Sequence, residues 1–456
     1  MVIPGNAAQI VGVLRVLEQH AVPFVARGAG TGLSGGALAT EDAVLVALTR
    51  LTHILEVDPA NRRAVVEPGV INAQLSAATE RFGLHYAPDP SSQSVCTLGG
   101  NVAENAGGPH CLKYGVTGNH ILQLEVALPN GELATLGSPG GEPWGPDLVG
   151  LFVGSEGMFG IATKITVKLT PLPRAVRTLL ADFSSLRTAG EAVTAMISSG
   201  IVPAALEMMD QKCVTAVEAS IYRAGYPTDA SAVLIVEVDG MTEAAVAEET
   251  RQVESILQSS GARTVTKASD PKQRARLWQG RKKAFGAMGR IDSDLSVQDA
   301  VVPRTLLPDI LEQISRIGIE HGLSVCNVFH AGDGNLHPNI AFNGKDPVIR
   351  GRVERASNAI MHLCVEGGGT ITGEHGVGLD KRHLMPLIFD PDTLGLMRRI
   401  RRAFDPDERA NPGKVLPAHS CRERRTDHSN PRRDSTMDLE HHRPRHPHRN
   451  PALNDD

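Results

Sequence analysis

The run Arg27-Gly-Ala-Gly-Thr-Gly-Leu-Ser-Gly-Gly36 is the richest glycine stretch in the chain, and it lies between two runs of strand character, Val22-Pro-Phe-Val-Ala-Arg27 and Ala43-Val-Leu-Val-Ala-Leu48. The spacing Gly30-x-Gly32-x-x-Gly35 formally matches the dinucleotide fingerprint, but that fingerprint must open a helix after its strand. Here the glycines lead into a second strand instead, which excludes a nicotinamide-binding Rossmann unit. What survives is a strand-loop-strand whose successive side-chain-free N–H groups form a concave nest for a pyrophosphate. Thr31 and Ser34 are placed to add hydroxyl donors.

A chain of 456 residues is too long for one hydrophobic core and calls for two or three domains. An apolar fraction of 41% with ordinary charge content is that of a soluble globular enzyme. A net charge of -5 without a long basic stripe argues against nucleic acid as a partner. No apolar run approaches the roughly 18 residues needed to cross a bilayer. Met1-Val-Ile-Pro lacks the basic start and apolar core of a signal peptide, so the expected location is cytoplasmic. The cysteines at 96, 111, 213, 326, 364 and 421 include no Cys-x-x-Cys pair, and read as reduced structural thiols rather than disulfides, zinc ligands or an iron–sulfur site.

Asn6-Ala-Ala-Gln9 opens a helix along which Ile10, Val13, Leu14 and Leu17 recur at helical spacing. A hairpin follows over 53–65 and a helix over 71–82. Residues 87–92 and 97–108 read as a second long turn-rich region, and 154–163 as a third; such segments inside compact domains are usually functional. Lys164 to Pro171 is an alternating strand that closes the first domain. From about residue 176 the elements become longer and amphipathic: helices over 188–198, 242–259 and 306–320, and a strand over 232–238. Beyond Val415 the composition is that of a disordered tail. Its histidines, His441, His442, His446 and His448 among them, read as solvated rather than as a metal site.

Two stretches carry chemistry. In Asn327-Val-Phe-His-Ala-Gly-Asp-Gly-Asn-Leu-His337 the interior is poor in helix formers, so strand, turn and strand bring His330 and His337 to one point. Downstream, Thr370-Ile-Thr-Gly-Glu-His-Gly-Val-Gly378 supplies Glu374 and His375 between glycines. Two neutral imidazoles and a carboxylate suit zinc, manganese or iron and leave positions open for substrate.

The loop Arg27 to Gly36, the run Thr97 to Gly108, Gly154-Ser-Glu-Gly157, Asn327 to His337, Gly373 to Gly378 and Asn411-Pro-Gly-Lys-Val415 together resemble the FAD-linked oxidases of the vanillyl-alcohol oxidase and p-cresol methylhydroxylase (PCMH) type. The resemblance is nearest to the branch holding the FAD-binding subunit of glycolate oxidase and the D-lactate and D-2-hydroxyglutarate dehydrogenases. It implies an α+β fold. Residues 1–175 would form a PCMH-type FAD-binding domain of two α+β subdomains, and 176–416 a C-terminal substrate domain with a ferredoxin-like antiparallel sheet, followed by a tail over 417–456. Family members usually carry several dozen residues before the position of Met1, so the first domain is expected to be shortened, with an exposed sheet edge.

The same resemblance implies site residues. Arg27, Gly28, Ala29, Gly30, Thr31, Gly32, Leu33, Ser34, Gly35 and Gly36 would hold the FAD pyrophosphate. Asp89, Pro90, Ser91, Thr97, Leu98, Gly99, Gly100 and Asn101 would lie along the flavin, and Glu156, Gly157, Gly160 and Ile161 along the adenine half, with Asn411 reaching the isoalloxazine. The glycine loop has no histidine, which implies non-covalent FAD. His330, His337 and Glu374 match metal ligands, with zinc first and manganese or iron as alternatives, and His375 matches the catalytic base. Trp278-Gln-Gly-Arg281 is similar to a segment carrying a substrate-binding arginine; Arg281 is the first candidate and Arg304 the second. Where some relatives have a lysine, this chain reads Asp294-Leu-Ser-Val-Gln298, which favours a small monocarboxylate over a dicarboxylate.

The implied activity is FAD-dependent oxidation of a small 2-hydroxy acid to the 2-oxo acid. Electrons would pass to a quinone, a carrier protein or a partner subunit, within an assembly of glycolate oxidase subunits that could bring the cytoplasmic chain to the membrane surface. Two readings compete with it. One is a truncated FAD-binding subunit or scaffold that needs partners; the other is a flavin-free metallohydrolase, which leaves the glycine loops unexplained.

Overall fold

The computed structural model describes residues 1–141 and 145–417. The expected tail therefore lies, Pro417 apart, outside the described residues. The first helix, Ala7–Gln19, starts where Asn6 accepts a hydrogen bond from the Gln9 amide at 2.9 Å. It buries Ile10, Leu14 and Leu17 against Phe24, Val46, Leu48 and Leu51. Strands Phe24–Arg27 and Val44–Ala47 pair in parallel. Parallel neighbours need a crossover, usually a helix; here the glycine loop supplies it. The outer edge of Val44–Ala47 is met by Val2, which exchanges backbone hydrogen bonds with Leu45 and Ala47 at 2.8 and 2.9 Å.

A five-stranded antiparallel sheet follows, in the order Ile54–Asp58, Arg63–Val66, Ile161–Lys168, Ile121–Ala127, Leu133–Gly137. The closing strand thus begins three residues before Lys164, because Ile161 and Ala162 are already buried beside Ala127 and Val126. A larger correction concerns 97–108, where a turn-rich segment was expected. Leu98–Glu104 is a helix, capped by Thr97 Oγ1 on the Gly100 amide at 3.3 Å. Gly99 and Gly100 lower helix propensity, but burial of Leu98 and Val102 outweighs that local cost. Gly99 also permits a close approach, since a Cβ there would stand 2.6 Å from that of Pro68.

The second half is built on a nine-stranded antiparallel sheet whose path runs Thr264–Lys267, Ala175–Phe183, Ala232–Gly240, Ala205–Asp210, Ser324–His330, Asn335–Leu336, Ala300–Val301. Asp294–Val297 pairs with Pro338–Phe342, which joins Ser324–His330. Alternate residues feed two cores: Leu206, Leu234 and Phe329 pack with helices Leu186–Ser198 and Leu307–Glu320, while Met209, Val233 and Val328 pack with Gln211–Glu218 and Pro271–Lys282. Both faces are covered, which is why these strands read as continuous apolar runs. The second face also presents Glu207, Glu237 and His330, so buried charge interrupts it at one place. Helix Pro391–Phe404 and the segment after it return to the first half, where Phe404 stacks on Phe159 at 4.5 Å and Asn411 donates its amide to the Phe24 carbonyl.

Candidate active site

A cavity of ≈ 530 Å³ runs from the glycine loop to the four residues His330, His337, Glu374 and His375. Arg27 to Leu33, Gly36, Pro90, Ser91, Thr97, Gly99, Gly100, Asn101, Glu156, Gly157, Gly160, Ile161 and Asn411 line it, as does Arg281.

Four of the expected cofactor residues do not line it. Leu98 lies in the hydrophobic core under its helix. Gly35 turns with a positive φ of 78° beside Leu379, and the buried Ser34 presents its carbonyl to the amides of Leu379 and Asp380 at 2.9 and 3.2 Å. Ser34 thus ties the loop to the second half rather than offering a hydroxyl to the cavity. Asp89 turns to a cross-half ion cluster, with His110 Nδ1 at 2.9 Å and Lys282 Nζ at 3.2 Å. His110 Nε2 faces Glu237 at 3.3 Å, and Glu237 also accepts from Arg274, Trp278 and Thr178. Burial disfavours the charged imidazole, yet Asp89 and Glu237 outweigh it and push His110 up to about 10.

Glu156 and Asn411 line the cavity and also join the two halves. The Glu156 carboxylate accepts from the amides of Val377 and Gly378 at 2.6 and 2.7 Å. Asn411 donates through Nδ2 to the carbonyls of Gly36 and Glu156 at 3.0 and 2.5 Å.

At the other end, the turn after Ser324–His330 is so tight that His330 pairs with Asn335 across it. The His330 and His337 rings then meet edge to face with centroids 5.1 Å apart. Glu374 Oε1 is 3.2 Å from His330 Nε2, 3.2 Å from His337 Nε2 and 3.6 Å from His375 Nε2. Strand register sets Glu207 opposite His330, and its Oε1 accepts from His330 Nδ1 at 2.8 Å. His337 Nδ1 donates to the Gln298 carbonyl at 3.1 Å. Both rings therefore hold an Nδ1 proton on the far side and turn their Nε2 atoms toward Glu374, where a cation would displace any Nε2 proton. This donor set fits a divalent ion: two imidazole nitrogens, each oriented from behind, and a carboxylate.

Electrostatics agree with that fit. Burial opposes a charge on His330, but Glu207 and Glu374 hold its pKa well above the usual imidazole value. A divalent cation would compete with that proton, so affinity should fall as the medium is acidified. Burial pushes His375 down to about 4, which keeps it a neutral acceptor. Arg281 is 1% exposed and pairs with the fully buried Glu207 at 2.5 Å, leaving its Nε and Nη1 without protein partners. Arg304, the second candidate, is off the cavity and donates to the Gly332 carbonyl.

Glu104, Glu207, Lys282, Gln298 and Asp299 escaped the sequence reading. A carboxylate inside the apolar run Ala204-Ala-Leu-Glu-Met-Met209 was the available signal for Glu207.

The cofactor end fits FAD as well, since the glycine-lined wall of the 27–36 loop lets backbone N–H groups approach a pyrophosphate without side chains in the way. Residues 1–137 match the FAD binding domain family, and 172–415 the C-terminal domain of the FAD linked oxidases. The chain is 48% identical to glycolate oxidase subunit GlcD of Escherichia coli K12 over 93% of its own length and 85% of the relative's. It is 38% identical to glycolate oxidase subunit GlcD of Bacillus subtilis over 91% and 88%. Among solved structures, substrate-bound p-cresol methylhydroxylase superposes with a TM-score of 0.76 over 91% of this chain and 88% of that one; at 17% identity this likeness speaks to the fold.

Proposed function

The chain belongs to the FAD-linked oxidases, and from that premise we propose that it oxidises a small 2-hydroxy acid, of the glycolate or D-lactate kind, to the 2-oxo acid. Residues 1–175 hold non-covalent FAD and 176–416 hold the substrate. FAD, when bound, supplies the hydride acceptor at its N5. His330, His337 and Glu374 would hold zinc, or manganese or iron, whose chemistry is to lower the pKa of the substrate hydroxyl. His375 takes the hydroxyl proton at Nε2, and Arg281 receives the carboxylate on its guanidinium, whose Nη1 has no protein partner. Phe285, Leu295 and Val297 make the nearby wall apolar, which suits a short substrate side chain.

The observation that carries this reading is the convergence of three imidazoles on one carboxylate oxygen, at the end of the same cavity that the glycine loop lines. Anaerobic addition of glycolate or D-lactate should bleach the flavin absorption of the purified protein; chelation should stop the bleaching and zinc should restore it. Bound flavin that no 2-hydroxy acid bleaches would falsify the proposal.

A second reading rests on the word subunit in the names of both glycolate oxidase relatives. Here the chain works inside a hetero-oligomer that passes electrons to a quinone or carrier protein and brings the cytoplasmic assembly to a membrane surface. Among the described residues no helix is long and apolar enough to cross a membrane. Little flavin retained alone, with recovery on co-expression, supports this reading; full turnover by the isolated chain with a soluble acceptor excludes it.

A further inference from the structure

Asp299 lies immediately before the short strand Ala300–Val301 and is fully buried. Its Oδ2 accepts from Thr372 Oγ1 at 2.6 Å and from the amides of Gly373, Glu374 and His375 at 3.1, 3.3 and 2.9 Å. Lys381 Nζ adds an ion pair at 3.2 Å. One carboxylate thus gathers three consecutive amides of the loop that carries a proposed metal ligand and the proposed base. It also stands behind two rings, with His337 Nδ1 at 3.8 Å and His375 Nδ1 at 4.0 Å. Those rings are stacked at 4.8 Å with their planes 7° apart, so a rotation of one is felt by the other.

Asp299, His337 and His375 also form a second group with the spacing of a metal site. The hydrogen bonding argues against that role. Oδ2 already meets four donors and an ammonium, and a cation placed there would face Lys381 across the same oxygen. A carboxylate saturated in this way serves as an anchor.

We propose that Asp299 is a positioning residue of the reaction centre: it shapes the Thr372–His375 turn and so directs Nε2 of His375 toward Glu374, beside the His337 ring that the Gln298 carbonyl holds. Burial opposes its charge, but Lys381 and then the two imidazoles hold its carboxyl well below the usual range, so it is an acceptor throughout the working pH range. The kinetic part of the proposal rests on the 2-hydroxy acid reading given above; the metal and tautomer parts do not.

The test is D299N in the FAD-loaded full chain, together with D299N/K381M, which removes the unpaired ammonium that would otherwise destabilise the single variant. Zinc affinity should fall roughly 10- to 100-fold and kcat by a similar factor, the size usual for partners behind a metal ligand, with KM and flavin content little changed. Either folded variant that keeps both quantities within about threefold of wild type overturns the proposal. In the wild-type protein, selective ¹⁵N labelling of histidine should show His337 and His375 as Nδ1–H tautomers, and an Nε2–H proton on His375 overturns it independently of any variant. If the wild type binds no divalent ion and turns over no 2-hydroxy acid, the functional reading fails, and the tautomer measurement still decides the role of Asp299.

Discussion

At one end of the cavity the loop 27–36 presents backbone N–H groups and few side chains. At the other, His330, His337, Glu374 and His375 are ringed by Glu207, Arg281, Asp299 and Lys381. The first region is shaped by how closely backbone approaches its neighbours, and the second by how buried charges balance one another. The cradle should therefore fail by steric intrusion, which a second substitution can relieve. The centre should fail by loss of charge, which leaves a partner uncompensated at low dielectric.

The largest effect is expected at Glu374, on which three imidazoles converge. E374Q removes a proposed ligand and the charge that balances His330, so kcat should drop on the order of 10³-fold or more, with zinc content lost and flavin retained. Anaerobic bleaching rate, metal analysis and the flavin spectrum read the three quantities separately. If flavin is lost along with zinc, the two regions are not separable in the way proposed.

In the cradle, a Cβ on Gly28 would stand 2.2 Å from Thr97 Oγ1. Overpacking of this kind costs about 1–3 kcal/mol, so G28A should weaken FAD binding by roughly 10- to 100-fold while zinc affinity is unchanged. Adding T97A opens the space and should recover part of the affinity, short of full recovery because Thr97 also caps the Leu98–Glu104 helix. A G28A variant that binds FAD normally but loses zinc would reverse the comparison.

Between the regions sits the cluster Asp89, His110, Glu237 and Lys282, and it makes stability depend on pH. His110 has its folded pKa raised to about 10. Its contribution is full below the unfolded value near 6.5 and is lost as pH rises toward 10. Asp89 is lowered to about 2, so its contribution is present above about 4 and lost as pH falls through 2. Thermal melting should peak between these limits and decline on the alkaline side. H110Q should cost on the order of 2 kcal/mol near pH 6 and flatten the alkaline decline. An alkaline decline of the same size in H110Q would place its origin elsewhere.

The cradle and the centre were not equally legible in the sequence. The glycine loop, the hairpin bearing His330 and His337, and the Glu374-His375 pair are short, and their composition dictates a local shape. What surrounds them is set by pairings between distant segments. Glu207 meets His330 only because strands 123 positions apart take one register. The same dependence explains why Ser34 and Asp89, inside recognisable loops, face the other half of the molecule instead of the cavity. The Leu98–Glu104 helix was missed for a related reason: its glycines weaken the local signal, and the core that stabilises it comes from strands elsewhere.

The smallest effect expected is also the one that separates two cations at the substrate. Lys282 follows Arg281 and also lines the cavity, with its side chain 24% exposed and its Nζ 3.2 Å from Asp89. A partly solvated ammonium in an ion pair contributes about 0–1 kcal/mol, so K282Q should raise KM for glycolate no more than about fivefold, with kcat and flavin content unchanged. Asp89 keeps its His110 partner in that variant, so the cluster stays closed. Arg281 differs in that its guanidinium is buried and keeps Glu207 on Nη2 while Nη1 remains free, and R281K should raise KM well beyond the K282Q effect, because an ammonium cannot hold both carboxylates in the fixed plane of a guanidinium. If the order of the two KM effects is reversed, Lys282 receives the carboxylate. The buried Arg281 then serves Glu207 and His330 alone, joining Asp299 among the groups that hold the centre from behind.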